Sequence, residues 1–254
     1  MKKKNELTSK DFWSNSWKKV SLPVQYSYRE YAYQTIDKTI SAYLKKDYKT
    51  FLEIGGCPGR WADYFFHKFN LVSDSMDYDE NNIKITKQNY KLLKIKGRAF
   101  LGDITKKNKK NYQKYDVVLS DGLLEHFINS QDVFDNHLTY LRRGGLLIMG
   151  VPNIKKSWLY NHFAKKDQIA YNGYRHISRK ELYHHAQRNN LKILFCNYIG
   201  VFNIGVVHSY KLSFITQKIF VGVNLLANFL LKMFKIKKET KIFSPYIYII
   251  ARKQ

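Results

Sequence analysis

The stretch Thr50-Phe51-Leu52-Glu53-Ile54-Gly55-Gly56-Cys57-Pro58-Gly59 constrains the fold of this 254-residue chain more than any other. A short buried-strand pattern runs into a glycine-rich turn, and a helical stretch follows from Arg60 to about Phe69. Glycines there let a ligand approach the backbone closely, and the helix start presents free N–H groups. The alternation then repeats. Strands are expected at Leu71–Met76, Gly97–Leu101, Tyr115–Ser120 and Leu146–Val151, with helices at Asn81–Leu93 and about Asp132–Leu141. A helix over Tyr28–Leu44 precedes them, its apolar or aromatic positions falling at Tyr28, Tyr31, Ala32, Ile36, Ile40, Tyr43 and Leu44. This spacing predicts an α/β fold, a mostly parallel Rossmann-like sheet with helices on both faces.

After Pro152 the pattern changes: residues 153–173 are polar and aromatic without a clear period. A helix is expected over Ser178–Asn189, a strand over Leu191–Tyr198, an apolar helix over Phe214–Phe234 and a last strand over Ile247–Ala251. With no repeat and no long linker, the chain reads as one domain over 1–254. It divides into an N-terminal helical segment (1–46), a core (50–152), and a cap with C-terminal strands (153–254).

The 44 Lys and Arg against 20 Asp and Glu leave a formal charge of +24, while 44% hydrophobic residues supply a core and exclude a disordered chain. The lysines lie in small scattered clusters, among them Lys2–Lys4, Lys106–Lys110 and Lys235–Lys241. They fit either a solvated basic surface or an anionic partner. Two cysteines, Cys57 and Cys196, are too few for a disulfide framework, and the N-terminus shows no apolar signal-peptide core, so a cytoplasmic setting is expected.

Three carboxylates stand at the ends of successive strands: Glu53 before the glycine turn, Asp77 24 positions later, and Asp103 in Leu101-Gly102-Asp103-Ile104. Asp77 can accept from both hydroxyls of a ribose, and Asp103 from the exocyclic amine of a purine. Taken singly, Asp103 could equally cap a helix and Asp77 close an Asx turn. Their joint register with the glycine turn argues for a nucleoside-binding edge.

At these residues the sequence resembles the class I S-adenosylmethionine-dependent methyltransferases over about residues 51–200. Leu123-Leu124-Glu125-His126, Leu141-Arg142-Arg143-Gly144-Gly145 through Gly150-Val151-Pro152-Asn153, and Arg175-His176-Ile177-Ser178 with Glu181-Leu182 are similar to the small-molecule branch, as in ubiquinone-type O-methyltransferases. The resemblance implies a seven-stranded sheet with its last strand antiparallel and S-adenosyl-L-methionine as cofactor. It would lay the methionine portion over Gly55, Gly56, Cys57 and Gly59, with Glu53 just before the turn and Ser120 near the amino group. Ribose would sit on Asp77, with adenine between Tyr78 and Ile104 beside Gly102 and Asp103. Cys57 stands where the family has glycine, a substitution worth about 1 kcal/mol of strain if that position needs positive φ.

Methyl transfer to a hydroxyl needs the acceptor on axis and a base for its proton. His126 and His176 are the candidates; His162, His184 and His185 are less well placed. Some relatives bind a metal through a carboxylate three positions before the Glu-His pair; here that position is Gly122, so no metal is expected. The acceptor is read as a small molecule, free or linked to a sugar or lipid, most simply methylated at oxygen. Gly150-Val151-Pro152 stands where ribose-methylating RNA enzymes need a lysine, which weighs against nucleic acid. RNA methylation, suggested by the charge, and a non-catalytic binding module stay open as alternatives. The aromatic start, Phe12, Trp13, Trp17, Tyr26, Tyr28, Tyr31 and Tyr33, either packs the first helix or walls an acceptor pocket. The apolar helix near 214–234, with Gln217, Asn224, Asn228 and Lys235 as a narrow polar stripe, reads first as a packed cap. Contact of residues 214–241 with an anionic membrane surface is the other reading.

Overall fold

The computed structural model describes residues 5–18, 20–106, 113–207 and 214–254, with the side chains of 169–170 and 214–217 left aside. Lys2–Lys4 and most of the Lys106–Lys110 cluster lie outside these residues, as does the side chain of Gln217.

Seven strands, β1 (Thr50–Ile54), β2 (Val72–Asp77), β3 (Ala99–Leu101), β4 (Tyr115–Asp121), β5 (Leu141–Pro152), β6 (Lys192–Ile199) and β7 (Tyr246–Arg252), form one sheet in the order β3-β2-β1-β4-β5-β7-β6. The first five pair in parallel, and β7 runs antiparallel between β5 and β6. The expected fold class, with its antiparallel last strand, is the one observed.

The strand residues alternate between two apolar layers, as a parallel sheet covered on both faces requires. Phe51, Val117, Leu119, Leu146 and Ile148 point to one side, where they meet helices α2 (Tyr31–Ser41), α3 (Arg60–Phe69) and α4 (Glu80–Leu93). Leu52, Val118, Leu147 and Met149 point to the other, against α5 (Ser130–Tyr140) and α8 (Arg179–Arg188). Chain order reverses between β1 and β4, which opens a crevice at the C-terminal ends of those strands.

Four sequence expectations need correction. The first long helix starts at Tyr31, not Tyr28; its leading N–H is held by Asn228 Oδ1 at 2.5 Å, a cap supplied from far along the chain. β5 begins at Leu141, five residues early, paired with Tyr115 across a register shift. The unperiodic stretch 153–173 contains two short helices, α6 (Trp158–Ala164) and α7 (Gln168–Asn172), built on buried contacts such as Tyr160 rather than on a repeating pattern. Before α2 lies another helix, α1 (Lys10–Trp17), with Ser9 as its N-cap accepting from Phe12 N.

The apolar helix α9 (Phe214–Met233) forms as expected but sits the other way round. Its asparagines face the protein: Asn224 Oδ1 accepts from Ile204 N, and the buried Asn228 accepts from Tyr31 N. Its large apolar residues face outward, so the packed-cap reading does not hold for them.

Candidate active site

The crevice encloses about 1050 Å³ of space, its open mouth included. Its floor is the turn after β1. The positive-φ positions of that turn are Gly55 (φ 69°) and Gly59 (φ 97°), so Cys57 sits without the strain its substitution threatened. Gly56 is needed for a different reason: a Cβ there would lie 2.1 Å from the Glu53 side chain. Glu53 turns back under the loop, where its carboxyl accepts from Ala62 N (3.0 Å) and Trp61 N (3.4 Å) at the start of α3. Burial pushes that carboxyl up to about 8 despite these donors. Glu53 therefore braces the turn and anchors α3 to it. The Cys57 thiol is buried against the Asn82 carbonyl, and burial pushes it up.

Asp77 lies at the end of β2 in the crevice wall. Its Oδ1 accepts from Asp79 N at 2.9 Å, and both oxygens take the Asn82 amide at 3.3 Å. Burial raises it to about 6, with the bonds from Asp79 and Asn82 pulling the other way. Tyr78, Gly102, Asp103 and Ile104 complete this wall. Asp103 closes an Asx turn rather than capping a helix, accepting from Thr105 N (3.0 Å) and Thr105 Oγ1 (2.6 Å).

The opposite end carries a cation that the sequence reading passed over. Arg60, the first residue of α3, lines the crevice and donates to Tyr33 Oη at 2.7 Å. Its charge is reinforced first by Tyr33, with Tyr246, Asp121 and Glu53 also acting. Asp121, at the end of β4, accepts from Trp61 Nε1 at 3.1 Å and is raised by burial. A lone arginine directly after a glycine turn was the available signal for this end.

His126 lies in a short 3-10 turn after β4, within the crevice wall. Its Nδ1 donates to the Gly173 carbonyl at 2.7 Å, which fixes the neutral tautomer with Nε2 unprotonated. Burial pushes the ring down to about 4. Nε2 lies 3.7 Å from Glu125 Oε1, whose carboxyl burial pushes up to about 8. His176 is placed elsewhere: it is outside the crevice lining, lowered by partial burial and then by Lys156. Gly59 and the buried Ser120 also lie behind the lining, which Asp121 and Gly122 form instead.

The N-terminal segment walls part of the crevice. Leu7 N donates to the His126 carbonyl at 2.8 Å, Ile128 N to Asn5 O at 2.9 Å, and Glu6 bridges to Phe127. On the far side the Asn81 amide donates to Ser14 Oγ at 3.1 Å. These ties lay Trp13 and Trp17 over the opening, with the Trp13 ring edge-on to His126 at 4.7 Å. Of the aromatic start, these two wall the crevice, whereas Tyr26, Tyr31 and Tyr33 are buried.

A seven-stranded sheet of this order, with a crevice at its switch point whose lining includes Glu53, Asp77 and Asp103, defines a class I methyltransferase fold. The model of a family described as a methyltransferase domain matches residues 28–194, well over half of the chain. The chain belongs to that family and is an S-adenosyl-L-methionine-dependent methyltransferase. Solved structures agree on the fold. A Streptomyces coelicolor geranyl diphosphate C-methyltransferase is 13% identical, covering 81% of this chain and 73% of its own, with a TM-score of 0.55. A Thermotoga maritima methyltransferase, described as a possible histamine N-methyltransferase, is 16% identical over 88% and 90%, with a TM-score of 0.55. Haemonchus contortus phosphoethanolamine N-methyltransferase 2 is 12% identical over 87% of this chain and 52% of its own, with a TM-score of 0.61. No curated protein matches by sequence.

Proposed function

We propose that the protein methylates an oxygen of a small hydroxylated acceptor, free or carried on a sugar or lipid, with His126 as the proton acceptor. The observation that carries this reading is the state of His126: a neutral ring in the crevice wall, held through Nδ1 so that Nε2 keeps its lone pair. A base lowered to about 4 is weak, so it takes the proton only as the acceptor oxygen commits its electrons to carbon. The Trp13 ring and the Gly173 carbonyl restrain the imidazole from two sides, which favours one orientation over tumbling.

The residues present fit the cofactor. The space that a Cβ on Gly56 would fill is taken by Glu53, which keeps the turn's backbone bare for a ligand. Asp77 retains acceptor capacity beyond its bonds to Asp79 and Asn82. Gly55 and Gly56 would hold the methionine portion with Arg60 against its carboxylate, Asp77 the ribose, and Tyr78, Ile104 and Asp103 the adenine. Bound S-adenosyl-L-methionine supplies a methyl group on a sulfonium, open to in-line displacement. Trp13 and Trp17 keep water from that point.

The test is transfer of labelled methyl to a panel of phenols, sugars and isoprenoid alcohols by wild type and His126→Asn. The asparagine can still donate to Gly173 but is no base. Its kcat should fall roughly a hundredfold, with cofactor affinity near wild type. Full rate in the variant would mean that transfer rests on positioning alone or on another residue as the base, and would remove His126 from that role.

A further inference from the structure

We infer that the outer face of α9, with the turn at Ile242 and Phe243, docks the protein onto an anionic lipid surface. An amphipathic helix in a folded protein normally buries its apolar face and shows its polar one. Here the arrangement is inverted. Asn224 and Asn228 spend their amides on the protein body, and Lys232 Nζ donates to Arg29 O. The side chains turned to solvent are Ile219, Val221, Leu225, Leu226, Phe229 and Met233, with Leu225 66% and Phe229 61% exposed. A face of this size left in water is a binding surface or an aggregation hazard.

The patch extends beyond the helix. Phe163 of α6 packs edge-on against Phe220 of α9, and Ser157 Oγ donates to Ile242 O at 2.5 Å. The neighbouring Trp158 stands 76% exposed, beside the half-exposed Ile242 and Phe243. An indole at the margin of an apolar patch suits the boundary between acyl chains and headgroups.

Charge selects the occupant. No acidic residue occurs from Phe214 to Lys238, while Lys232, Lys235, Lys237, Lys238 and Lys241 follow the apolar face at its C-terminal end. The first carboxylate after the helix in the chain, Glu239, turns inward to accept from Gly200 N at 3.1 Å, and Glu30 accepts from the Asn203 amide. A second copy of the chain would bring the same lysines and the same +24 charge to the contact; an anionic bilayer neutralises them. Among the described residues no helix is long and apolar enough to cross a membrane, so the helix lies on the surface. Docking there has a consequence for access. β5 ends at Pro152, β6 ends at Ile199 and β7 starts at Tyr246, all at the sheet edge that also carries the crevice. α9 is tied to that edge through Ile204, just after β6. A lipid-borne acceptor would thus arrive on the reactive side of the sheet.

The experiment is co-sedimentation of the full chain with vesicles of phosphatidylcholine alone or mixed equally with phosphatidylglycerol, at low and physiological salt. Wild type should pellet with the mixed vesicles and far less with the neutral ones. Leu226→Glu with Phe229→Glu should lower partition at least tenfold. Lys235, Lys237, Lys238 and Lys241 changed to Gln should lower it by roughly fivefold per lysine and weaken its salt dependence. Both variants leave the crevice untouched, and unchanged cofactor binding verifies their fold independently of any acceptor. No pelleting of wild type, or pelleting unaffected by either variant, overturns the inference. So does a wild-type dimer in sedimentation velocity that the Glu variant converts to monomer, which would assign the face to a second copy.

Discussion

Replacing Asp77 by Ala tests the cofactor site at its most constrained side chain. An ionised carboxylate offers about four lone-pair positions. Within the protein they meet the Asp79 N–H at 2.9 Å, the shared Asn82 amide at 3.3 Å and a bond from the Tyr78 backbone. Acceptor capacity thus remains for ribose hydroxyls, and a hydrogen bond to a charged group contributes about 1.5–3 kcal/mol. At 1.4 kcal/mol per factor of ten, the variant should bind S-adenosyl-L-methionine and its demethylated product about 10 to 150 times more weakly. Titration calorimetry reads this directly, and a circular dichroism melt confirms folding. The pH dependence gives a second handle. Burial holds Asp77 at about 6 in the free protein, and the hydroxyls need its ionised form. Wild-type affinity should therefore be flat above that pH and weaken as pH falls through it, with the Ala variant lacking this dependence. Unchanged affinity in a folded variant would refute the placement of ribose on Asp77.

Trp13→Ala should raise the cofactor dissociation rate several-fold, because it removes the ring held against His126 and opens the crevice; stopped-flow fluorescence measures it. Arg60→Met, which keeps the bulk of the side chain, should weaken S-adenosyl-L-methionine about tenfold or more while leaving adenosine affinity near wild type, as competition binding would show. Glu53 and Glu125 sit at about 8, above the ordinary carboxylate value of 4.5. Their folded forms hold protons that the unfolded chain has released, so their contribution to stability is full below about 4.5 and is lost as pH rises toward 8. Urea midpoints should fall across that window in wild type, and Glu125→Gln should flatten part of the fall.

The crevice is legible in the sequence only in part. Gly55, Gly56, Asp77 and Asp103 are visible because strand ends are fixed by local pattern: period-two burial ends where a turn residue begins, and a parallel sheet brings all such ends to one edge. Trp13, Trp17 and Arg60 are placed by contacts between distant segments, among them Leu7 with His126 and Arg60 with Tyr33, which no local period encodes. The choice between His126 and His176 is of the same kind. His126 follows β4 and His176 precedes α8, and only packing sets one ring in the crevice wall and the other outside it.

The amino-acid sequence by itself determined the parallel strands and the acidic edge, since these rest on hydrophobic alternation and turn chemistry within a few residues of each other, while the antiparallel last strand was implied by the family resemblance and is set by long-range pairing with β5 and β6. Tertiary structure alone decided the orientation of α9. Periodicity shows that a helix has a polar stripe, but not whether that stripe meets water or a bonding partner. Here Tyr31 N and Ile204 N, far away in the chain, need acceptors, and Asn228 and Asn224 supply them. Two buried backbone groups left unpaired would cost about 1–3 kcal/mol each, so the asparagines turn inward and the apolar side chains are carried outward.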